Sequence, residues 1–572
     1  MKTLFAATAV ALCLTASQAD SAPTYDLIVR GGEIYDGTGG TPILGDVAIK
    51  KDRIACVGAC PGSAPKVVDA KGKAVAPGFV NMLSWSTDSL IQDGRGQSEL
   101  RQGVTLQVMG EGSSMGPWTR EMKTLELQRQ GDIKYPITWT TLDQYLRVLE
   151  KKGVSVNVAS FVGAATVRVN VLGESDIDPT PAQLDQMRGL VVKAMEDGAL
   201  GVGTSLIYAP GTFAETDELV ALVTEAGRCG GMYISHMRSE GARLLEATDE
   251  LIDISRRSGA PAEIYHLKAS GRANWDKLDA AIARIEAARA SGLRITTDMY
   301  TYPASSTGLD AAMPTWVQAG GVEAWIARLK DPATRAKVIE EMRSGSPTFE
   351  NLQRGAGADG TLLVGFKNPK LKPLTGKTLA QVAKDRGVSA EDAAIDLVIE
   401  DGSRVQVVYF SMSEENVARQ VTLPYMSFGS DAEAQAPEDP FTLSSTHPRA
   451  YGNFARLLAK YVRDEKRLTL AEAVRKLSAQ PAHNLGLHDR GMLKAGNYAD
   501  VVVFDPATIQ DNATFEKPHQ FSTGVSEVVV NGQLALVNGE PTAARPGQVV
   551  RGRGWTGWKD GGCRKKASDW SW

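Results

Sequence analysis

The sequence predicts a mixed α/β protein: a (β/α)8 TIM-like barrel, a small β-sandwich built from both terminal segments, and an insertion over the barrel rim. Three observations carry that expectation. Short apolar runs alternate with amphipathic stretches through the centre of the 572-residue chain. Alternating strand-and-turn texture occurs near both ends. Two of the six histidines close successive apolar runs, where the chemistry of a parallel barrel collects.

Taken in order, residues 1–19 predict a signal peptide. Lys2 precedes an apolar run from Leu4 to Ala16, and Ser17-Gln18-Ala19 fits a small-x-small cleavage site. The mature chain is therefore expected outside the cytoplasm, in the periplasm or secreted. Residues 20–76 read as strands and turns: Asp26 to Arg30, Asp46 to Lys50 and Arg53 to Val57. The same texture returns over residues 486–550, in Ala499 to Phe504, Val525 to Val530 and Leu534 to Val537. These two stretches predict the β-sandwich. Residues 77–485 predict the barrel, with strands ending near Asn81, Met109, Val162, Ile207, His236, His266, Met299 and Asp431. Helices are expected at Ala182–Asp197, Thr216–Cys229, Leu244–Ser258 and Asp276–Ser291. About 305–363 breaks the rhythm and reads as the insertion, a lid over the rim. Residues 551–572 form a tail with Trp555, Trp558, Trp570 and Trp572, and the sequence assigns it no role.

Composition narrows the partners. With 43% hydrophobic and 23% charged residues and a formal net charge of −4, the chain is balanced as soluble globular proteins are. That charge argues against nucleic acid or an anionic membrane as a partner. No apolar stretch is long enough for stable membrane insertion. A homo-oligomer is compatible with all of this. Cys56 with Cys60, and Cys229 with Cys563, can pair in an oxidising compartment; small buried reduced side chains are the other reading.

His236 ends Met232-Tyr-Ile-Ser-His236 and His266 ends Glu263-Ile-Tyr-His266, so both are expected on one rim as metal ligands. A hydrolytic zinc has three protein ligands and an open position. Glu111, between Gly110 and Gly112 after Val104 to Met109, is the third candidate, because flanking glycines let the backbone turn a carboxylate inward. Asp431 closes Met426-Ser-Phe-Gly-Ser-Asp431, where a carboxylate can take a proton from water and give it to a leaving amine.

Several further strings accompany these residues: Ala76 to Val80, Gln102 to Thr105, Gly198 to Gly201, Leu206 to Pro210, Ser235 to Arg238, His266 to Lys268, Thr297 to Tyr302, Gly429 to Asp431, His447 to Arg449 and Asp489 to Lys494. In this order they resemble the amidohydrolase superfamily, and within it the N-acyl-D-amino-acid deacylases (D-aminoacylases). The resemblance implies that His236 and His266 hold a metal and that Asp431 is the catalytic acid/base. It implies that Lys268, Tyr300 and Arg449 handle a substrate carboxylate or the polarised carbonyl, and that Tyr208 and Met412 line a side-chain pocket.

The chain departs from this family at three places. Where the family carries His-x-His, this chain has Leu83-Ser-Trp85. Where it carries a cysteine ligand, Glu111 stands, and Gly163-Ala164 replaces a Gly-His pair. No lysine ends the fourth strand. One divalent ion, zinc, is therefore expected on Glu111, His236 and His266, a carboxylate and two imidazoles as in some zinc peptidases. The expected activity is metal-dependent hydrolysis of the amide of an N-acyl amino acid, with water activated by the metal and Asp431 moving the proton. Other readings are a different small amide, a cyclic amide, a lactone or a peptide-like substrate, with Trp85 as an aromatic wall. From another class comes a non-catalytic binding protein descended from the enzyme.

Overall fold

A computed structural model describes residues 24–345 and 349–570. The expected signal peptide and Trp572 lie outside them. Among the described residues, no helix is long and apolar enough to cross a membrane.

The centre of the molecule holds two parallel sheets. Phe79–Asn81, Val104–Met109 and Asn157–Ser160 form one; Val162–Gly163, Gly201–Ser205, Met232–His236, Ala262–Ile264, Ile295–Met299 and Met426–Phe428 form the other. Backbone hydrogen bonds join the sheets at both edges. On one side Phe161 N–H donates to Met109 O at 2.8 Å and Leu200 N–H to Ser160 O at 3.0 Å. On the other, Met82 N–H donates to Phe428 O at 3.1 Å and Asp431 N–H to Leu83 O at 2.9 Å. The strands are continuous apolar runs because both faces are covered; every residue of Val104–Met109 is buried. Helices lie between them, and local chemistry sets their ends. Thr180 caps Pro181–Asp197 in a capping box with Gln183, and Gly198 ends it in the left-handed region.

Both terminal segments join in one nine-stranded hydrogen-bonded sheet, which branches where Leu27–Ile34 also pairs with Lys66–Asp69. Their junction is the antiparallel pair Ala74–Pro77 and Val501–Phe504. A buried polar network fastens this sheet to the parallel strands: Asp500 pairs with Arg490, whose Nη2 donates to Asn531 Oδ1 at 2.9 Å. Asn531 Nδ2 donates in turn to Asn157 Oδ1 at 2.7 Å.

Between Ile295–Met299 and Met426–Phe428 the chain builds a small sheet of Ser305–Gly308, Gln406–Tyr409 and Thr361–Gly365, with helices Gly321–Leu329, Pro332–Ser344, Leu352–Ala356, Leu379–Arg386 and Ala390–Asp401. This excursion runs to Tyr409, past the expected end near 363, and has its own apolar core around Leu309, Trp325, Leu363 and Leu397.

The tail runs along the N-terminal ends of the parallel strands. Val550 N–H donates to Val158 O at 2.8 Å and Gly552 N–H to Gly198 O at 2.9 Å. Cys563 is disulfide-bonded to Cys229, and Trp570 Nε1 donates to Arg228 O at 2.9 Å. Cys56 and Cys60 form a second disulfide.

Candidate metal centre and active site

Glu111 enters the site because its neighbours are glycines. Gly110 and Gly112 have φ of +106° and +67°. A Cβ on Gly110 would lie 2.4 Å from Phe161 O, and one on Gly112 2.5 Å from Ser205 Cβ. His236 is the last residue of its strand, whereas His266 lies two residues beyond Ala262–Ile264 at φ +34°. Asp431 also sits in the left-handed region, at φ +49°. Sparse backbone conformations of this kind gather where geometry is over-determined.

These ends bring three donors together. Glu111 Oε1 stands 3.0 Å from His236 Nδ1 and 3.2 Å from His266 Nε2. All three donor atoms lie within 4.8 Å of one another. A tetrahedral zinc ion at about 2.0–2.2 Å from each ligand spaces them roughly 3.3 Å apart. The donor set therefore fits such an ion. Ser205 Oγ donates to Glu111 Oε1 at 3.2 Å from the side.

Glu240, which the sequence reading did not single out, completes the arrangement. It follows His236 by four residues and is 3% exposed. Its Oε1 stands 2.9 Å from His266 Nδ1 and 2.6 Å from Lys268 Nζ, and Lys268 Nζ is itself 2.6 Å from His266 Nδ1. Burial opposes ionisation of Glu240, but His236 and Lys268 hold it well below the usual carboxylate range. Burial likewise opposes ionisation of Glu111, and hydrogen bonds from His236 and His266 overcome it. For His266, burial and Lys268 disfavour the imidazolium; Glu240 and Glu111 outweigh both and raise its pKa to about 10.

A cavity of about 610 Å³ opens over these donors, and Asp431, Lys268, Tyr300, Arg449 and Tyr208 all line it. Asp431 Oδ2 lies 2.8 Å from Arg449 Nη1, and its Oδ1 accepts from Trp85 Nε1 at 3.0 Å. Burial lifts the Asp431 pKa, with Arg449 and His266 opposing. The Arg449 guanidinium rests 4.5 Å from the Tyr300 ring centroid, and the Tyr208 ring packs edge-on against His236. Met412 stands behind Tyr300, whose hydroxyl donates to its Sδ at 3.4 Å, and is not among the residues that line this cavity.

The amidohydrolase family pattern matches residues 66–535. The chain belongs to the amidohydrolase family. Among amidohydrolases it is 33% identical to the N-acyl-D-glutamate deacylase of Alcaligenes xylosoxydans xylosoxydans over 529 residues, 92% of this chain and 96% of that one. The crystal structure of N-acyl-D-glutamate deacylase from Bordetella bronchiseptica, complexed with zinc and a phosphonate mimic of the tetrahedral intermediate, superposes with a TM-score of 0.76. It is 30% identical and covers 92% of this chain and all of its own. A D-aminoacylase structure with a binuclear metal centre, described in terms of one-metal activation and second-metal attenuation, gives 0.77 at 30% identity, covering 92% of this chain and 99% of its own.

Proposed function

We propose that this amidohydrolase is a metal-dependent deacylase of N-acyl-D-amino acids, working with one zinc ion held by Glu111, His236 and His266. The observation that carries the reading is the convergence of those three donors, within 4.8 Å of one another, in the wall of a cavity that also holds Asp431 and Arg449. The relatives named above support the substrate class. When bound, the ion supplies a Lewis acid beside the amide carbonyl and lowers the pKa of water.

The chain's own residues do the rest. Arg449, with Tyr300 beneath it, receives the substrate carboxylate as a planar fork suits. Lys268 is occupied by Glu240, so its part is to fix His266 from behind. Asp431 takes one proton from the attacking water and delivers it to the departing nitrogen; the second water proton follows from the new carboxyl group, so that amide and water become a carboxylate and an ammonium. The cavity volume favours acyl groups larger than acetyl, and peptide-like substrates belong in the test.

Two expectations beyond the site belong to this proposal. The parallel strands, with Asn157–Ser160 and Val162–Gly163 counted as one interrupted strand, act as a closed (β/α)8 barrel, which the hydrogen bonds at both sheet edges support. The protein is exported, which the apolar run from Leu4 to Ala16 and two disulfides support; N-terminal sequencing of the mature protein should begin at Asp20.

The experiment is zinc analysis joined to hydrolysis of a panel of N-acyl-D- and L-amino acids of different acyl length. One zinc per chain and turnover lost on chelation are expected. Full activity in metal-free protein would refute the reading. Tight binding without turnover in the zinc-loaded protein would make it a binding protein instead.

A further inference from the structure

Asp431 is held from two sides, and the two holds differ. Trp85 Nε1 donates to Oδ1 at 3.0 Å, while Arg449 Nη1 lies 2.8 Å from Oδ2. The main chain secures the first contact: Asp431 N–H donates to Leu83 O and Trp85 N–H to Ala432 O, both at 2.9 Å. Ser84 and Ala432 form a parallel bridge between these hydrogen bonds. Trp85 and Asp431 are thus carried on tied neighbouring segments. At φ +49°, Asp431 depends on such ties for its direction.

Arg449 has a second claim on it, because a substrate carboxylate entering the cavity competes with Asp431 for the guanidinium. As Arg449 turns to the substrate, its hold on Oδ2 weakens. The Trp85 indole has no other hydrogen-bond acceptor among the described residues, and it is neutral. It can keep Oδ1 fixed throughout without the strong loss of basicity that a cation would impose.

We infer that Trp85 is a positioning residue of the reaction, whose indole N–H holds Asp431 Oδ1 while Oδ2 exchanges protons. The inference rests on the deacylase reading in making Asp431 the acid/base. It gives a role to the segment where the family resemblance leads one to expect His-x-His. Leu83 fills space, packed so closely that a Cβ on Gly429 would come within 2.8 Å of it, and Trp85 supplies a donor.

The test compares Trp85→Phe, which keeps bulk but loses the N–H, with Trp85→Gln, whose amide nitrogen lies the same number of bonds from Cβ as the indole nitrogen. Trp85→Phe should lower kcat at least tenfold with KM within twofold, keep one zinc per chain, and move the acidic limb of the kcat profile to higher pH. Trp85→Gln should recover part of kcat and restore the limb. A kcat within twofold for Trp85→Phe would overturn the inference. So would equal losses in both variants with an unmoved pH profile, which mark a packing role. A readout independent of turnover is the 15N–1H indole resonance of Trp85, assigned by its loss in Trp85→Phe. It should shift in Asp431→Asn; indifference to that substitution would overturn the inference whatever the activity. Absence of turnover in the unmodified protein would refute the deacylase reading and leave this resonance to decide the contact.

Discussion

Glu240 Oε1 lies 2.9 Å from His266 Nδ1, on the far side of the imidazole from Glu111. A carboxylate behind a ligating histidine fixes the ring's orientation and raises its basicity toward the metal. Here that carboxylate also neutralises the buried Lys268. Metal affinity and the neutrality of the pocket floor therefore depend on one side chain.

Glu240→Gln should weaken zinc binding about 10–100-fold, the usual cost of losing an outer-shell carboxylate. Competition against a chelator measures this. Unchanged affinity would remove Glu240 from the metal site.

Zinc binding should release a proton. His266, with a pKa raised to about 10, must give one up to ligate, whereas Glu111 is already ionised at neutral pH. Calorimetry at pH 7 in buffers of different ionisation enthalpy should show about one proton released through this group. The same shift affects the metal-free protein. Its folded state binds the His266 proton more tightly than the unfolded state does, so this stability is complete below pH 6.5 and lost as pH rises through about 10. Thermal melts of metal-free protein should fall across that window, and the zinc-loaded protein should not follow them.

Glu111→Ala and Asp431→Asn should separate binding from chemistry. The first should lose both zinc and activity. The second should retain zinc and lower kcat by about 10²–10⁴, the typical weight of a general acid/base. Loss of zinc from Asp431→Asn would make Asp431 a ligand.

Cys563→Ala opens a crosslink between residues 334 apart. Urea unfolding should show a loss of about 2–4 kcal/mol, with turnover at 25 °C retained because the strap lies on the face opposite the site.

Much of the site was legible because strand ends announce themselves. His236 and His266 close apolar runs, and the glycines around Glu111 mark a turn. Glu240 carried no such mark. It lies in a loop, and only folding brings it behind His266. The hydrogen bond from Trp85 was equally hidden, since a tryptophan at a strand mouth suggests area before it suggests a donor. Met412 was placed by resemblance alone, and packing sets it behind Tyr300. The insertion was read short because its return strand, Gln406–Tyr409, is four residues among helices. Strand texture at both ends did not reveal partners; the pairing of Ala74–Pro77 with Val501–Phe504 supplies them.

The tail has a consequence for how the protein is made. Val550 and Gly552 bond to strand starts laid down hundreds of residues earlier, and Cys229 waits for Cys563. The ribosome delivers the metal ligands first and the strap last. A chain released before Cys563 would carry every ligand yet lack this tie between the tail and the start of Met232–His236. This tie thus forms only after every metal ligand has been made, and it needs an oxidant for its two thiols.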